Sequence, residues 1–320
     1  MPKKKNKKIG LIALCVAASF VLTCTACANS GAAETPSPPP EKTIPAEENP
    51  AAPVPEPAPE PAAEPTPVPE APASDLVMHV LDVGQADSIL VQLPNGQTML
   101  IDGGNSGDEG RIMNYMDGIG VTKIDYLVAT HPHADHIGGL PPIIDNMDIG
   151  KIYMPRVSQN TQIYERLLTA IENNGLQVNT AKAGVSILNT TDLKIDILAP
   201  VADSYKDLND YSAVIKIVFG ETSFLLMGDA GAASEGQITS DVSADVLKVG
   251  HHGSSTATTK AFLDKVAPEY AAISVGKDNS YGHPNDEVLS RLNDANVKVF
   301  RTDLQGTIVF TSDGSAVKEG

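Results

Sequence analysis

The chain has 320 residues, and its 40 acidic side chains against 23 basic ones give a formal net charge of −17. That balance excludes a protein that grips polyanions through a broad basic face. Its three cysteines, Cys15, Cys24 and Cys27, all fall in the first 27 residues, which excludes disulfides and thiolate catalysis from the rest of the chain.

Lys3, Lys4, Lys5, Lys7 and Lys8 precede an apolar run from Ile9 to Leu22. This is the basic n-region and apolar h-region of an export signal. The run is short of the roughly 20 residues a spanning helix needs, and the alternative is a retained single-pass anchor. The stretch "LTCTACANSG" resembles the processing box of bacterial lipoproteins, in which a cysteine after a small residue is lipidated. Cys27 after Ala26 fits better than Cys24 after Thr23. Residues 1–27 are therefore read as a lipoprotein-type signal segment, with a diacylated Cys27 anchoring the protein to the outer face of the cell membrane. Without lipidation the product would be secreted.

Residues 28–74 are rich in Pro, Ala and Glu and lack aromatic side chains. They cannot bury a core and are expected to be disordered or extended as polyproline II. At about 3.1 Å per residue, such a tether reaches on the order of 100 Å.

Residues 75–320 carry 17 Lys and Arg against 32 Asp and Glu and are long enough for one domain with a large core. The runs "LVMHVLDVG", "DSILVQL" and "QTMLIDGG" read as strands, with "LPNGQ" as a hairpin turn. A short helix is expected over Asp108–Met116, a buried strand at "DYLVAT", and an amphipathic helix at "QIYERLLTAIENNG" ending on a glycine. "LKIDIL", "AVIKIVFG", "TSFLLMGD", "ADVLKVG", "YAAISVG" and "VKVFRTD" follow as strands, with helices at "TTKAFLDKV" and "NDEVLSRLNDA". Strands punctuated by helices in both halves fit an α/β layered sandwich. There is also an internal echo. "QTMLIDGG" and "DYLVATHPHADH" recur as "TSFLLMGD" and "ADVLKVGHHGSS": an apolar strand ending at an aspartate, then one ending at histidines. Two such halves face to face would bring both histidine clusters to one edge.

The whole chain has seven histidines, and five of them, His131, His133, His136, His251 and His252, lie at the ends of apolar strands. Side chains of a tight loop at a strand end can converge on a point. His131 and His133 can share one metal, while Asp135 and His136 reach a second position beside it. Two-metal hydrolases need ions about 3.5–4 Å apart. Nitrogen and carboxylate ligands suit zinc, manganese or iron. His79, in "VMHVL", reads as a strand histidine.

The segment "THPHADH" resembles the His-x-His-x-Asp-His signature of metallo-β-lactamase-fold hydrolases. The stretches "LDVGQADSILVQLPNGQTMLIDGG", "LNDYSAVIKIVFGETSFLLMGD", "DVLKVGHHGSS" and "NSYGHPNDEVLSRL" are similar to the extracellular hydrolase domain of ComEC-type DNA-uptake channel proteins. They also resemble phosphorylcholine esterases of the pneumococcal type. The resemblance implies a four-layer αββα sandwich over residues 75–320 and two divalent ions, zinc or manganese. It implies that His131 and His133 hold one ion and Asp135 and His136 the other. Asp229 of "LLMGDA" would bridge the two ions, and His251 would complete the second site. Asp102 would orient a ligand histidine through its other ring nitrogen.

Many members of that superfamily place a further histidine between the two clusters, but no histidine lies between His136 and His251. The ComEC-type resemblance implies that Asn209 and Ser212 of "NDYS" would line the first site instead, leaving it more open. In "DVGQAD", Ala86 stands where the relatives have glycine. The implied reaction is attack by a metal-bridging hydroxide on a phosphodiester. Asp135 would act in the catalytic set as well as in metal binding, and His252 and His283 are candidates for leaving-group protonation or phosphate contact. Tyr281, beside His283 in "NSYGHPN", is a candidate substrate contact. The expected substrate is DNA or a wall polymer. Two other readings remain: hydrolysis of a lactam or lactone on the same fold, or a non-catalytic surface-binding protein. No protein partner is legible. ComEC-type channels have many membrane spans, so this chain is expected to be a free-standing exported relative.

Overall fold

A computed structural model describes residues 74–320. The expected signal segment, most of the linker and the expected lipidation site Cys27 lie outside the described residues. Among the described residues, no helix is long and apolar enough to cross a membrane.

Strands β1 (Leu76–Val80), β2 (Ile89–Gln92), β3 (Thr98–Ile101), β4 (Lys123–Val128), β5 (Asp148–Met154) and β6 (Val178–Thr180) lie side by side in chain order. A second sheet holds β7 (Val185–Asn189), β8 (Leu193–Ala199), β9 (Val214–Phe219), β10 (Thr222–Leu226), β11 (Val246–Lys248), β12 (Tyr270–Ile273) and β13 (Lys298–Arg301). The chain then returns to the first sheet, where β14 (Ile308–Ser312) pairs with β1 and β15 (Val317–Glu319) pairs with β14. The two sheets repeat one pattern. β1–β2–β3 and β8–β9–β10 are antiparallel, whereas β3–β4–β5–β6 and β10–β11–β12–β13 are parallel. The internal echo in the sequence is this repeat.

Alternation along the strands divides the core. Met99 and Ile101 of β3 and Phe224 and Leu226 of β10 point into the shared core between the sheets. Leu100 of β3 points outward to a second core with α1 (Glu109–Gly118), α3 (Leu140–Asn146) and α4 (Gln162–Asn173). Leu225 of β10 likewise points to a third core with α6 (Lys260–Val266) and α7 (Asp286–Asp294). Two sheets with helices on both outer faces make the expected four-layer αββα sandwich. Each fully buried aliphatic side chain contributes roughly 1.5–3 kcal/mol. The short helices α2 (Ala134–Ile137), α5 (Ala232–Glu235) and α8 (Thr302–Gln305) carry loops.

The caps explain where the longer helices begin. The side chains of Thr161, Thr259 and Asn285 accept hydrogen bonds from the amides of Tyr164, Phe262 and Glu287. The expected helices at 108–116, 162–175, "TTKAFLDKV" and "NDEVLSRLNDA" are present within a residue or two at most of their ends. Helix α3 was not expected because it opens on Pro141 and Pro142. Its first turn tolerates proline, since the missing amides have no partner there. The parallel sheet order puts the carboxyl ends of β3, β4, β10 and β11 at one edge, and the loops leaving them carry Asp102, His131–His136, Asp229 and His251–His252.

Candidate metal centre

Asp229 lies at the middle of the cluster, 1 % exposed, after the last residue of β10. Its two carboxylate oxygens face different groups. Oδ1 is 3.2 Å from His136 Nε2 and 3.7 Å from His252 Nε2. Oδ2 is 3.8 Å from His131 Nε2 and 3.6 Å from His251 Nε2. Two sets of ligand atoms therefore share Asp229: His131 with His133, and Asp135 with His136 and His252, the atoms of each set lying within 4.8 Å of one another.

The His131 half follows directly from β4. His131 Nε2 and His133 Nδ1 are 2.9 Å apart. The other nitrogen of His131, Nδ1, lies 3.1 Å from Thr130 Oγ1 and 3.3 Å from Ser212 Oγ. Ser212 Oγ also accepts from the Asp229 amide at 3.0 Å, so one hydroxyl ties the two strand ends together. Asn209 Nδ2 is 3.4 Å from His251 Nε2. Asn209 and Ser212 thus line the half that lacks a further histidine.

In the other half, Asp135 and His136 lie on α2. Asp102, just past β3, holds His136 by its Nδ1 at 2.7 Å and accepts from the amide and hydroxyl of Thr130 at 2.8 and 2.7 Å. Asp102 has φ +60°, a left-handed conformation uncommon for a residue with a Cβ. The turn lets both carboxylate oxygens reach back over the end of β4. Asp102 thus holds the His136 ring by the nitrogen that faces away from Asp229.

The two adjacent histidines sit differently from expectation. His252, not His251, joins Asp135 and His136. Its Nε2 is 3.3 Å from Asp135 Oδ2, and it is 2 % exposed. His251 faces the other oxygen of Asp229, on the side of His131, with its Nδ1 3.1 Å from Thr256 Oγ1. Strand alternation breaks down here because β11 ends at Lys248, and both histidines take left-handed φ, +49° and +52°. Two such residues in succession turn His252 inward and leave His251 nearer the mouth. The expected role of His252 in leaving-group protonation therefore gives way to a place among the ligand atoms.

His283 and Tyr281 form the rim. The His283 ring is 5.6 Å from that of His251, and the Tyr281 ring lies 5.8 Å from that of His283, nearly parallel at 23°. Tyr281 is 70 % exposed and does not reach the cluster.

Sequence reasoning missed two residues. Asp87, 1 % exposed, has its Oδ1 3.5 Å from His252 Nδ1, and its Oδ2 accepts from Lys248 Nζ at 2.9 Å. Lys248 is fully buried and donates also to the carbonyl of Val249. A lysine inside the apolar run "ADVLKVG" was the available signal, since a buried ammonium needs a partner.

Charges in the cluster are mutually compensated. Burial works against a proton on His136, but Asp229 and Asp102 outweigh it and hold its pKa well above the ordinary value. His252 is raised for the same reason, burial being overcome by Asp229 and Asp87. Burial, then the neighbouring His136, pushes His131 well below its ordinary value. Burial favours a proton on Asp229, yet His136 and His252 hold its carboxyl well below the usual range. Burial favours a proton on Asp135, yet the neighbouring His252 and the charge of His136 hold its carboxyl low. Burial lowers His251 and His283.

The residues fit a metal. His136 Nε2, His252 Nε2 and Asp229 Oδ1 are buried, point at one another and have no hydrogen-bond partner. Such orphaned atoms are costly unless something else satisfies them. Imidazole nitrogens with carboxylates suit a divalent ion of the zinc or manganese type.

The Metallo-beta-lactamase superfamily profile matches residues 81–162. The chain is 30 % identical over 258 residues to ComE operon protein 3 of Bacillus subtilis, covering 74 % of this chain and 33 % of that protein. It is 29 % identical over 255 residues to Competence protein ComA of Neisseria gonorrhoeae, covering 78 % and 34 %. The chain thus spans about a third of the length of these curated relatives. Among solved structures it is similar to the metallo-beta-lactamase fold protein YhfI from Bacillus subtilis, at 12 % identity and a TM-score of 0.45, covering 70 % of this chain and 95 % of that one. Sequence and architecture together make this chain a metallo-β-lactamase-fold protein that resembles ComE operon protein 3 and its ComEC-type relatives.

Proposed function

We propose that this chain is an exported, metal-dependent phosphodiesterase that holds two divalent ions, zinc or manganese, at the Asp229 cluster and hydrolyses DNA or a wall phosphodiester. The observation that carries the reading is Asp229 itself, buried between two sets of ligand atoms with one carboxylate oxygen toward each. His131, His133 and Asp229 would hold one ion, with His251 at its open side. Asp135, His136, His252 and Asp229 would hold the other. When bound, the ions would lower the pKa of a water towards neutrality and neutralise charge on the phosphoryl oxygens.

The remaining residues position and polarise. Asp102 and the Ser274 carbonyl fix the rings of His136 and His252 through their second nitrogens, with the Asp87 carboxylate 3.5 Å from the latter. His283, neutral at pH 7 because burial lowers its pKa, would offer an N–H to a phosphate oxygen at the rim. Asn209 would offer its amide beside His251. The relatives' names, which include a competence protein, favour DNA over a wall polymer.

The test is incubation of the full chain, loaded with Mn²⁺ or Zn²⁺, with end-labelled single- and double-stranded DNA beside His131→Ala. Metal-dependent cleavage lost in the variant is expected. Intact DNA from protein shown to hold its metals would refute the nuclease reading and turn the search to phosphorylcholine and wall phosphodiesters. Hydrolysis of a lactone or lactam alone would refute the phosphodiesterase reading as a whole. Export and anchoring predict that Cys27→Ala releases the protein into the medium; retention on the membrane with Cys24 also replaced would favour an uncleaved anchor.

A further inference from the structure

Strands β4, β5 and β6 are adjacent and parallel, so the chain leaves the sheet at one edge three times in succession. The first exit leads to His131. The second leads from Met154 to Arg156, and the third from Thr180 to Lys182. With neighbouring strands about 4.8 Å apart, the two cations leave the sheet roughly 5 and 10 Å to one side of the strand that bears the histidines. Ligands of parallel sheets bind outside the carboxyl ends of the strands.

Arg156 and Lys182 are exposed and line one hollow of about 150 Å³ with Thr180, Tyr211 and Asp203. Arg156 Nε donates to Thr180 Oγ1 at 3.0 Å, which orients the guanidinium. Among the described residues, neither cation forms an ion pair, although Asp203 borders the same hollow. One wall of the hollow is next in the chain to a residue that supports the metal centre from behind. Tyr211 precedes Ser212, whose hydroxyl lies 3.3 Å from His131 Nδ1. The backbone bonds Ala129 N to Tyr153 O and Ala181 N to Met154 O hold the three exits in register.

We propose that this hollow is an anion subsite for the phosphate next to the scissile one in a DNA strand. The inference rests on the phosphodiesterase reading of the metal centre and adds that the substrate is a chain, not an isolated diester. Arg156 offers a planar fork to a phosphate, and Lys182 a point charge. Two cations beside the reacting position also resolve the electrostatic conflict in the sequence. A domain with 32 acidic and 17 basic residues repels a polyanion over most of its surface, and it needs attraction only where the strand must lie.

The experiment measures binding and hydrolysis separately. In chelator, the anisotropy of a labelled single-stranded oligodeoxynucleotide is followed with the full chain and with its Arg156→Gln/Lys182→Gln variant, between about 50 and 200 mM salt. Loss of two phosphate contacts should raise Kd about tenfold and reduce the slope of log Kd against log salt by about 1.4. Arg156→Lys should retain most of the slope. Unchanged Kd and slope in the double variant would overturn the subsite. A poly(glycerol phosphate) chain that displaces the oligonucleotide at far lower concentration than DNA does would overturn the nucleic-acid assignment.

In parallel, the metal-loaded proteins are given a thymidine nitrophenyl phosphodiester, which has no neighbouring phosphate. Hydrolysis with the same KM in both proteins, beside a raised KM for the oligonucleotide in the variant, supports the subsite. Failure to hydrolyse the small diester overturns the phosphodiesterase reading, while the chelated binding measurement still decides whether the hollow binds anions.

Discussion

Replacing Lys248 by methionine keeps most of a buried stem and removes its charge. Lys248 is the last residue of β11 and fully buried, and its ammonium donates to Asp87 Oδ2 at 2.9 Å and to Val249 O at 3.1 Å. Asp87 belongs to the other sheet's side of the molecule. Its amide donates to Asp135 O at 3.1 Å, and its carbonyl accepts from the Gly104 amide at 2.8 Å. Removing one partner of a buried pair leaves the other charged and desolvated, which typically costs about 3–5 kcal/mol. Against a total stability of roughly 5–15 kcal/mol, that is a large share. The assay is urea unfolding of the full chain in chelator, followed by circular dichroism. A lower midpoint with an unchanged slope is expected. Asp87→Asn added to Lys248→Met should recover part of the loss, because no net charge is then buried. A loss under about 1 kcal/mol for the single variant, or no recovery in the double, would refute the description of Lys248–Asp87 as a compensated buried pair.

Asp102→Asn removes the carboxylate that faces His136 Nδ1, and metal affinity should fall about 10–100-fold in a chelator competition; unchanged affinity would deny Asp102 its orienting role. Burial lowers the pKa of His79, with the Gln92 bond opposing, so the unfolded chain takes up a proton there first. Its share of stability is present above the ordinary histidine pKa of about 6.5 and lost as pH falls below it; His79→Leu should flatten the fall in melting temperature between about pH 7 and 5, and an equally steep fall would refute this. Gly138→Ala would drive a Cβ into the backbone at Ser106 and Ala134, displacing the α2 end that carries His136; a loss of about 2 kcal/mol or more in thermal unfolding is expected, with weaker metal binding.

The fold was legible where apolar runs had a clear period. "TMLID" and "TSFLLMGD" each run to an aspartate, and a carboxylate at the close of a buried strand needs a partner beyond the strand. That pattern agreed with the roles the resemblance implied for Asp102 and Asp229. The histidine pair was legible as a cluster but not in its orientation, because strand alternation has no force past Lys248, where His251 and His252 both turn left-handed. The Asp87–Lys248 pair joins residues 161 apart in the chain, and no local pattern links them. β14 was unread for a similar reason: it follows the second sheet in sequence and pairs with β1 of the first.

The repeat of strand order in the two sheets explains why the site contains both kinds of donor. Each half supplies an aspartate after one strand and histidines after the parallel neighbour, yet the halves use them differently. In the first sheet, Asp102 turns left-handed, reaches back to Thr130 and His136, and holds a ring from behind. In the second, Asp229 is fixed by its amide to Ser212 and projects both oxygens into the space between the sheets. Behind His252, Nδ1 meets the Ser274 carbonyl at 3.0 Å, and Asp87 of the opposite sheet, charge-balanced by Lys248, adds its carboxylate 3.5 Å away. The charge behind His252 therefore crosses the sandwich just as the ligand atoms do. A shift of one sheet against the other would separate His252 from Asp135 and from the Asp87 charge together, so the geometry of the centre is set by the packing of the shared core rather than by either loop alone.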